Sequence, residues 1–444
     1  MPVSTIFVLM MENRSFDHLL GYLALHRGDV EGLSSDPAWR DKVASTYGGK
    51  RFPPSPLTDP YDAIAADPPH GRADITTQLG QRVGDIFPMD GFVSSYATAK
   101  GLTPIAAGSE PPVMGYFTAE HAPVTAFLAQ HYAICDHWHA ALPAGTQPNR
   151  LMAMSGFTRI EDNKTPLPNQ ELVYDWLTKR GIRWRVYHVG IPFFALMLDR
   201  VGEVLGPHFR PFAEFFEDVE SEPPDEFPQV VFLEPAYSDA PHIGPSCDDH
   251  SPAGIKGGQE FVLEAYRALT RSPDLWNQSA MIVSYDEHGG FFDHVSPPLI
   301  ETLPPADALY KQKFTSLGVR VPALVISPFV VPGSVHHALM DHTSILKFIG
   351  DTFDGGSYSP LVDARPVGSV SAVLTNAGRD SPAPVIGSLE AYLALEPKPG
   401  GRVPNTKPET PIQENFQQAL DAIRNHPARP PGAYDDLLQA DFPH

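Results

Sequence analysis

The sequence predicts an α/β protein with a mostly parallel sheet and helices on both faces. Short apolar runs of strand length, rich in β-branched residues, recur along the chain. They are continuously apolar rather than alternating, the pattern of strands covered on both sides. Helical patterns lie between them, and such alternation implies parallel strands joined by crossover helices.

The first strand is expected over Thr5–Met11. A helix follows at once, with Phe16, Leu19, Leu20 and Leu23 at i, i+3, i+4 and i+7, Ser15 as N-cap and Asp17 in the first turn. The next segment, 48–112, is rich in Pro, Gly and Asp and has no clear period. It reads as a loop-rich cap insertion, because structureless connections of that length are uncommon unless they serve a function. Further strands are expected over 182–189, 229–233, 280–285 and 321–327. Phe261, Val262, Ala265, Tyr266 and Leu269 form a helical stripe before the 280–285 strand. Residues 396–411 read as a Pro/Gly/Lys linker, followed by a short helix over 413–424 and a Pro-rich end. The expected organisation is one α/β domain over 1–395, carrying the insertion, and a tail over 396–444.

Composition narrows the function. The 444 residues are 42% hydrophobic and 19% charged, enough for a large core and unlike a disordered chain. Thirty-two basic and 53 acidic residues give a net charge of −21, which argues against binding the nucleic-acid backbone or a simple attraction to anionic membranes. Cys135 and Cys247 have no zinc-ligand spacing and make no disulfide framework, so both read as free thiols. No run approaches the ~18 apolar residues of a membrane span. The N-terminus lacks a basic region, and its apolar run ends in Glu12. As written the chain reads as cytoplasmic; a removed leader would make it secreted or periplasmic.

Ligands of open α/β sheets bind beyond the C-terminal strand ends. Two strands here end in oxygen-bearing residues, Glu12-Asn13 and Asp286-Glu287. Carboxylates with an amide oxygen suit a hard divalent cation, which would neutralise and polarise a phosphate. Carboxylates after strands also cap helices, so this pattern alone leaves both readings open. Thr146, in the Gly145-Thr146-Gln147-Pro148-Asn149-Arg150 turn, is a candidate nucleophile beside an anion-binding arginine, although a Thr in a turn is usually just a local hydrogen-bonding residue. His70, His250 and His294 sit in polar turns, settings that favour proton transfer or phosphate contact.

In combination these residues resemble a known family. Glu12-Asn13-Arg14-Ser15-Phe16-Asp17-His18 is similar to the signature opening of the phosphoesterase family, which contains non-specific phospholipases C and a group of acid phosphatases. Five further blocks resemble it in the same order: Met89-Asp90-Gly91-Phe92-Val93, Thr146-Gln147-Pro148-Asn149-Arg150, Asp249-His250-Ser251-Pro252, the run from Asp286 to Val295, and Asp341-His342-Thr343-Ser344. Together they span roughly residues 4 to 350.

The resemblance implies an alkaline-phosphatase-like α/β fold and a phosphoryl-enzyme mechanism at one divalent metal ion; oxygen ligands favour Mg, Ca or Mn over Zn. It implies that Glu12, Asn13, Asp286 and Glu287 hold the metal, and that Thr146 completes its shell and is the nucleophile. His70, His250 and His188 would contact the phosphoryl group. Asp17, His18, Arg150, Asp293 and His294 would mostly support these groups from behind. Phospholipase members tend to carry Thr where the acid phosphatases carry Ser, so Thr146 favours a phospholipase C-type phosphodiesterase. The substrate would be a phospholipid or small phosphoester, met in transient contact with a membrane surface. The alternatives are an acid phosphatase of broad specificity and a non-catalytic binding protein on the same fold. For a lipid enzyme, Phe193 to Leu198, with Phe212, Phe215 and Phe216, would serve as an apolar approach; the same run reads equally as a buried helix.

Overall fold

The computed structural model describes residues 2–57, 67–99, 110–241, 244–379, 381–394 and 408–439. The central sheet is built from β1 (Thr5–Met11), β2 (Ala133–Cys135), β3 (Trp184–His188), β4 (Phe209–Pro211), β5 (Val230–Glu234), β6 (Ser279–Tyr285), β7 (Ala323–Ile326) and β8 (Val335–His336). Their spatial order is β8-β2-β7-β6-β1-β5-β3-β4. β1 pairs in parallel with both β5 and β6, and β3 and β4 extend the parallel run. β7 is antiparallel to both of its neighbours.

Every residue of β1, β5, β6 and β7 is buried. Side chains alternate between faces along a strand, so both faces of the sheet centre are covered. This is the expected α/β class. The expected strands all form, with ends shifted by up to two residues. The unexpected ones, β2, β4 and β8, have only two or three residues each, too few to show a pattern.

The helices that matter for the site are α1 (Phe16–Leu19), α2 (Arg72–Leu79), α3 (Phe92–Thr98), α4 (Thr146–Ser155), α5 (Lys256–Arg271), α6 (Thr343–Phe353) and α7 (Pro411–Asn425). Ser15 caps α1 as expected, its Oγ accepting from His18 N at 3.2 Å. The expected stripe of α5 is buried at all five positions. α2 and α3 build a small core of Ile75, Leu79, Met89, Phe92 and Val93 against Phe291 and Phe292. Parts of two expected segments, 58–66 and 100–109 of the insertion and 396–407 of the linker, lie outside the described residues. α7 buries Ile412, Phe416, Leu420 and Ile423 in the main core. Cys135 and Cys247 are free thiols. Among the described residues no helix is long and apolar enough to cross a membrane.

Candidate active site

The sheet register sets the site. Met11 lies opposite Tyr285, and Glu234 opposite His188, on parallel strands. Glu12, Asp286, Glu234 and His188 therefore reach the same C-terminal rim, where such sheets bind ligands. Glu12, Asn13, Asp286 and Glu287 are all buried there. Asn13 N donates to Asp286 Oδ1 at 3.2 Å, locking the two strand ends together. Asn13 holds a φ of 61°, a conformation that costs free energy and is concentrated at functional sites. Gly289 permits it: a Cβ at Gly289 would stand 2.2 Å from Asn13 O.

Thr146 opens α4, and Arg150 lies one turn further on the same face. Asn149 shapes the preceding turn, accepting from Leu142 N at 2.9 Å and donating to Ala144 O at 2.7 Å. Arg150 joins the carboxylates. Its Nη2 is 3.0 Å from Glu12 Oε1 and its Nε 3.5 Å from Asp286 Oδ2. Its Nη1 donates to Tyr237 Oη at 3.1 Å, and its guanidinium lies 5.5 Å from the Phe193 ring centroid.

His250 faces three carboxylates. Its Nδ1 is 3.2 Å from Glu12 Oε2 and 3.5 Å from Asp239 Oδ2, and its Nε2 is 3.4 Å from Asp67 Oδ1. Asp67 also lies 3.6 Å from His70 Nδ1, and the two imidazoles are 5.6 Å apart. Burial opposes charge on His70, but Asp67 and Glu287 outweigh it and push its pKa up to about 9. His250 is likewise raised well above the usual range, burial being outweighed by Asp67 and Asp239. Burial would raise Glu12, yet Arg150 and His250 hold it low. Asp286 is pushed well up by burial and by Glu12.

Burial usually demands a hydrogen-bond partner for each polar atom. Asn13 Oδ1, Thr146 Oγ1, Asp286 Oδ2 and Glu287 Oε1 are buried and accept no hydrogen bond. All four are oxygens of residues named for a metal, so the donor set fits a hard divalent cation. A separate carboxylate–histidine group, Asp17, Asp293 and His294, already has its cation. Arg320 is 3.2 Å from Asp17 and 2.9 Å from Asp293.

His188 stands apart from this cluster. Its Nδ1 donates to Gly190 O at 2.6 Å, and its Nε2 lies 3.3 Å from the Tyr434 hydroxyl. Burial lowers its pKa to about 4. It shares the rim but sits two strands from β1, which carries Glu12 at its end. His18 donates from Nδ1 to Gly115 O at 2.8 Å and packs on Phe291, away from the carboxylates. His342 backs the site, donating to Asp286 O at 2.6 Å. Phe193, Phe194 and Phe215 are buried, so the apolar run is interior, and its first part is a 3-10 helix.

Three acidic residues beside the site were not singled out from the sequence: Asp67, Glu234 and Asp239. Glu234 ends a central strand, so the strand-end rule contained it. Asp67 opens the Asp67-Pro68-Pro69-His70 turn that carries His70. Asp239 carries no local signal.

Comparisons with known proteins identify the family. The family profile described as "Phosphoesterase family" matches residues 3–354. Non-specific phospholipase C3 of Arabidopsis thaliana is 33% identical over 422 residues, covering 86% of this chain and 76% of that one. Phospholipase C B of Mycobacterium tuberculosis is 28% identical over 500 residues, covering 96% and 89%. Among solved structures, an alkaline phosphatase superfamily protein from Vibrio parahaemolyticus overlaps 56% of this chain and 64% of its own at 12% identity and a TM-score of 0.35. That overlap is partial, and the α/β class rests on the strand pairing itself. The profile takes in the Glu12-Asn13, Thr146, His250 and Asp286-Glu287 motifs together. This chain belongs to the phosphoesterase family and is a phosphoric ester hydrolase.

Proposed function

We propose that the chain is a divalent-metal-dependent phospholipase C-type phosphodiesterase that releases phosphorylated head groups through a covalent ester on Thr146. The supporting observation is the set of buried oxygens of Asn13, Thr146, Asp286 and Glu287 that accept no hydrogen bond, beside the two histidines. The relatives named as phospholipases C support the substrate class. Glu12, Asn13, Thr146, Asp286 and Glu287 would hold one ion. When bound, it would neutralise charge on the phosphoryl oxygens.

Thr146 Oγ1 releases its proton to solvent and attacks phosphorus, and the bond from phosphorus to the glycerol oxygen breaks. Diacylglycerol leaves as its oxygen takes a proton from a histidine of the His70–His250 pair. The cationic character of both rings stabilises the charge that builds on the phosphoryl oxygens. Water then attacks phosphorus as a proton passes from it to the histidine that protonated the glycerol oxygen, the Thr146 oxygen leaves and regains a proton from solvent, and the phosphorylated head group departs. Arg150 keeps Glu12 and Asp286 in place throughout. Contact with the lipid surface is brief, since a charge of −21 gives no lasting attraction to anionic lipid.

The test is hydrolysis of p-nitrophenylphosphorylcholine beside p-nitrophenyl phosphate by metal-analysed enzyme across pH. Turnover of the diester with released phosphocholine, lost on chelation, supports the proposal. Monoester turnover alone, peaking at acid pH, makes the chain an acid phosphatase. Metal binding with no turnover of either ester leaves a binding protein.

A further inference from the structure

We infer that the C-terminal helix contributes a positioning residue to this site: Gln413 fixes Asp239, and Asp239 orients the His250 imidazole. The inference rests on the proposed contact of His250 with the phosphoryl group. The family match ends at residue 354, and α7 begins at Pro411. The helix is nevertheless tied to the site's walls. Phe416 packs on Tyr237 with ring centroids 5.5 Å apart, and Tyr237 is the residue that holds Arg150. Asn415 Nδ2 donates to Lys164 O at 3.2 Å, which fixes the helix on the opposite side.

Gln413 stands in the first turn of α7. Its carboxamide oxygen accepts from Glu409 N at 2.9 Å, and its backbone N donates to Thr410 Oγ1 at 3.3 Å. This arrangement satisfies helix-end donors much as a capping box does. It also decides which end of the amide faces inward. Nε2 donates to Asp239 Oδ1 at 3.0 Å. Asp239 Oδ2 is then 3.5 Å from His250 Nδ1, and Glu12 Oε2 is 3.2 Å from the same nitrogen. Two carboxylates at Nδ1 place a proton there and fix the ring plane. Nε2, at the other end of the ring, lies 3.4 Å from Asp67 Oδ1.

Gln413→Glu separates the two roles of this side chain. A glutamate keeps the acceptor for Glu409 N but turns the donor toward Asp239 into a second carboxylate. The expected result is a fall in kcat of about tenfold or more, the usual size of losing an outer hydrogen-bond partner. KM and Tm should stay near wild type. In a His250→Asn background the same substitution should cost nothing further. A wild-type kcat in Gln413→Glu overturns the inference. So does an equal loss in the His250→Asn background, or a loss matched by a falling Tm. If His250→Asn itself turns over like wild type, the assignment of His250 fails and this inference fails with it. A wild-type His250→Asn thus marks failure of the assignment, whereas a wild-type Gln413→Glu beside an impaired His250→Asn marks failure of the Gln413 link alone.

Discussion

Replacing Arg150 with methionine removes the guanidinium between Glu12 and Asp286 and leaves two carboxylates with almost no access to water. The side chains of Arg150, Glu12 and Asp286 are 5%, 2% and 0% exposed, so solvent cannot take over the screening. Breaking a buried pair by removing one partner costs ~3–5 kcal/mol. With an unfolding entropy of ~2.1 cal/mol/K per residue, a chain this long loses ~3–5 °C of melting temperature. That figure applies to the protein in a chelator. A divalent cation between the same carboxylates supplies the missing charge, and at 100 Kd it adds ~2.7 kcal/mol to stability. Removing Arg150 also removes a positive charge that opposes the cation, so the variant should gain more from metal than wild type does. The assay is thermal unfolding of both proteins in EDTA and in saturating Mg, Ca or Mn. The Arg150→Met deficit should be full in EDTA and clearly smaller in metal. An identical deficit in both conditions, or none in EDTA, would refute the electrostatic account of Arg150.

Three further outcomes follow. Glu12→Ala and Asp286→Ala should each lose bound metal by elemental analysis while keeping the far-UV spectrum of the fold; unchanged stoichiometry in both breaks the ligand assignment. Gly289→Ala places a Cβ 2.2 Å from Asn13 O at a φ of +62°, so it should destabilise the fold and weaken metal binding; wild-type affinity would show that the turn yields freely. The strain is of order ~1–3 kcal/mol. Burial would lower the His294 pKa, but Asp17 and Glu31 outweigh it and raise it to about 9. A histidine raised in the folded state stabilises the fold fully below its unfolded pKa of ~6.5 and loses that contribution as pH rises. The Tm advantage of wild type over His294→Gln should therefore be complete at pH 6 and fade as pH passes through about 9. A difference that stays flat across that window contradicts the Asp17–His294 pairing.

The long apolar strands were legible because both of their faces are buried and seven residues are enough to show it. Strand ends then pointed to Glu12 and Asp286, since parallel strands bring their C-terminal ends to one rim. The partners across the rim were less visible. Asp239 meets His250 across the loop after β5, eleven residues away in sequence, which no local pattern records. Gln413 is 163 residues beyond His250, on a short helix that the sequence predicts without any sign of its destination. His188 was placed on the rim by its strand but not beside the metal ligands, because spatial strand order differs from chain order. Phe193 and Phe194 were readable as an approach or as core, and packing places both in the core.

Nucleophilic attack by Thr146 is tested most directly by acid-quenched mass spectrometry of the enzyme reacting with p-nitrophenylphosphorylcholine. A phosphocholine adduct should appear on the peptide that contains Thr146 and be absent from Thr146→Ala, which should keep its fold and lose turnover. Continued turnover in Thr146→Ala, with that peptide unmodified in the wild-type enzyme, would contradict the account.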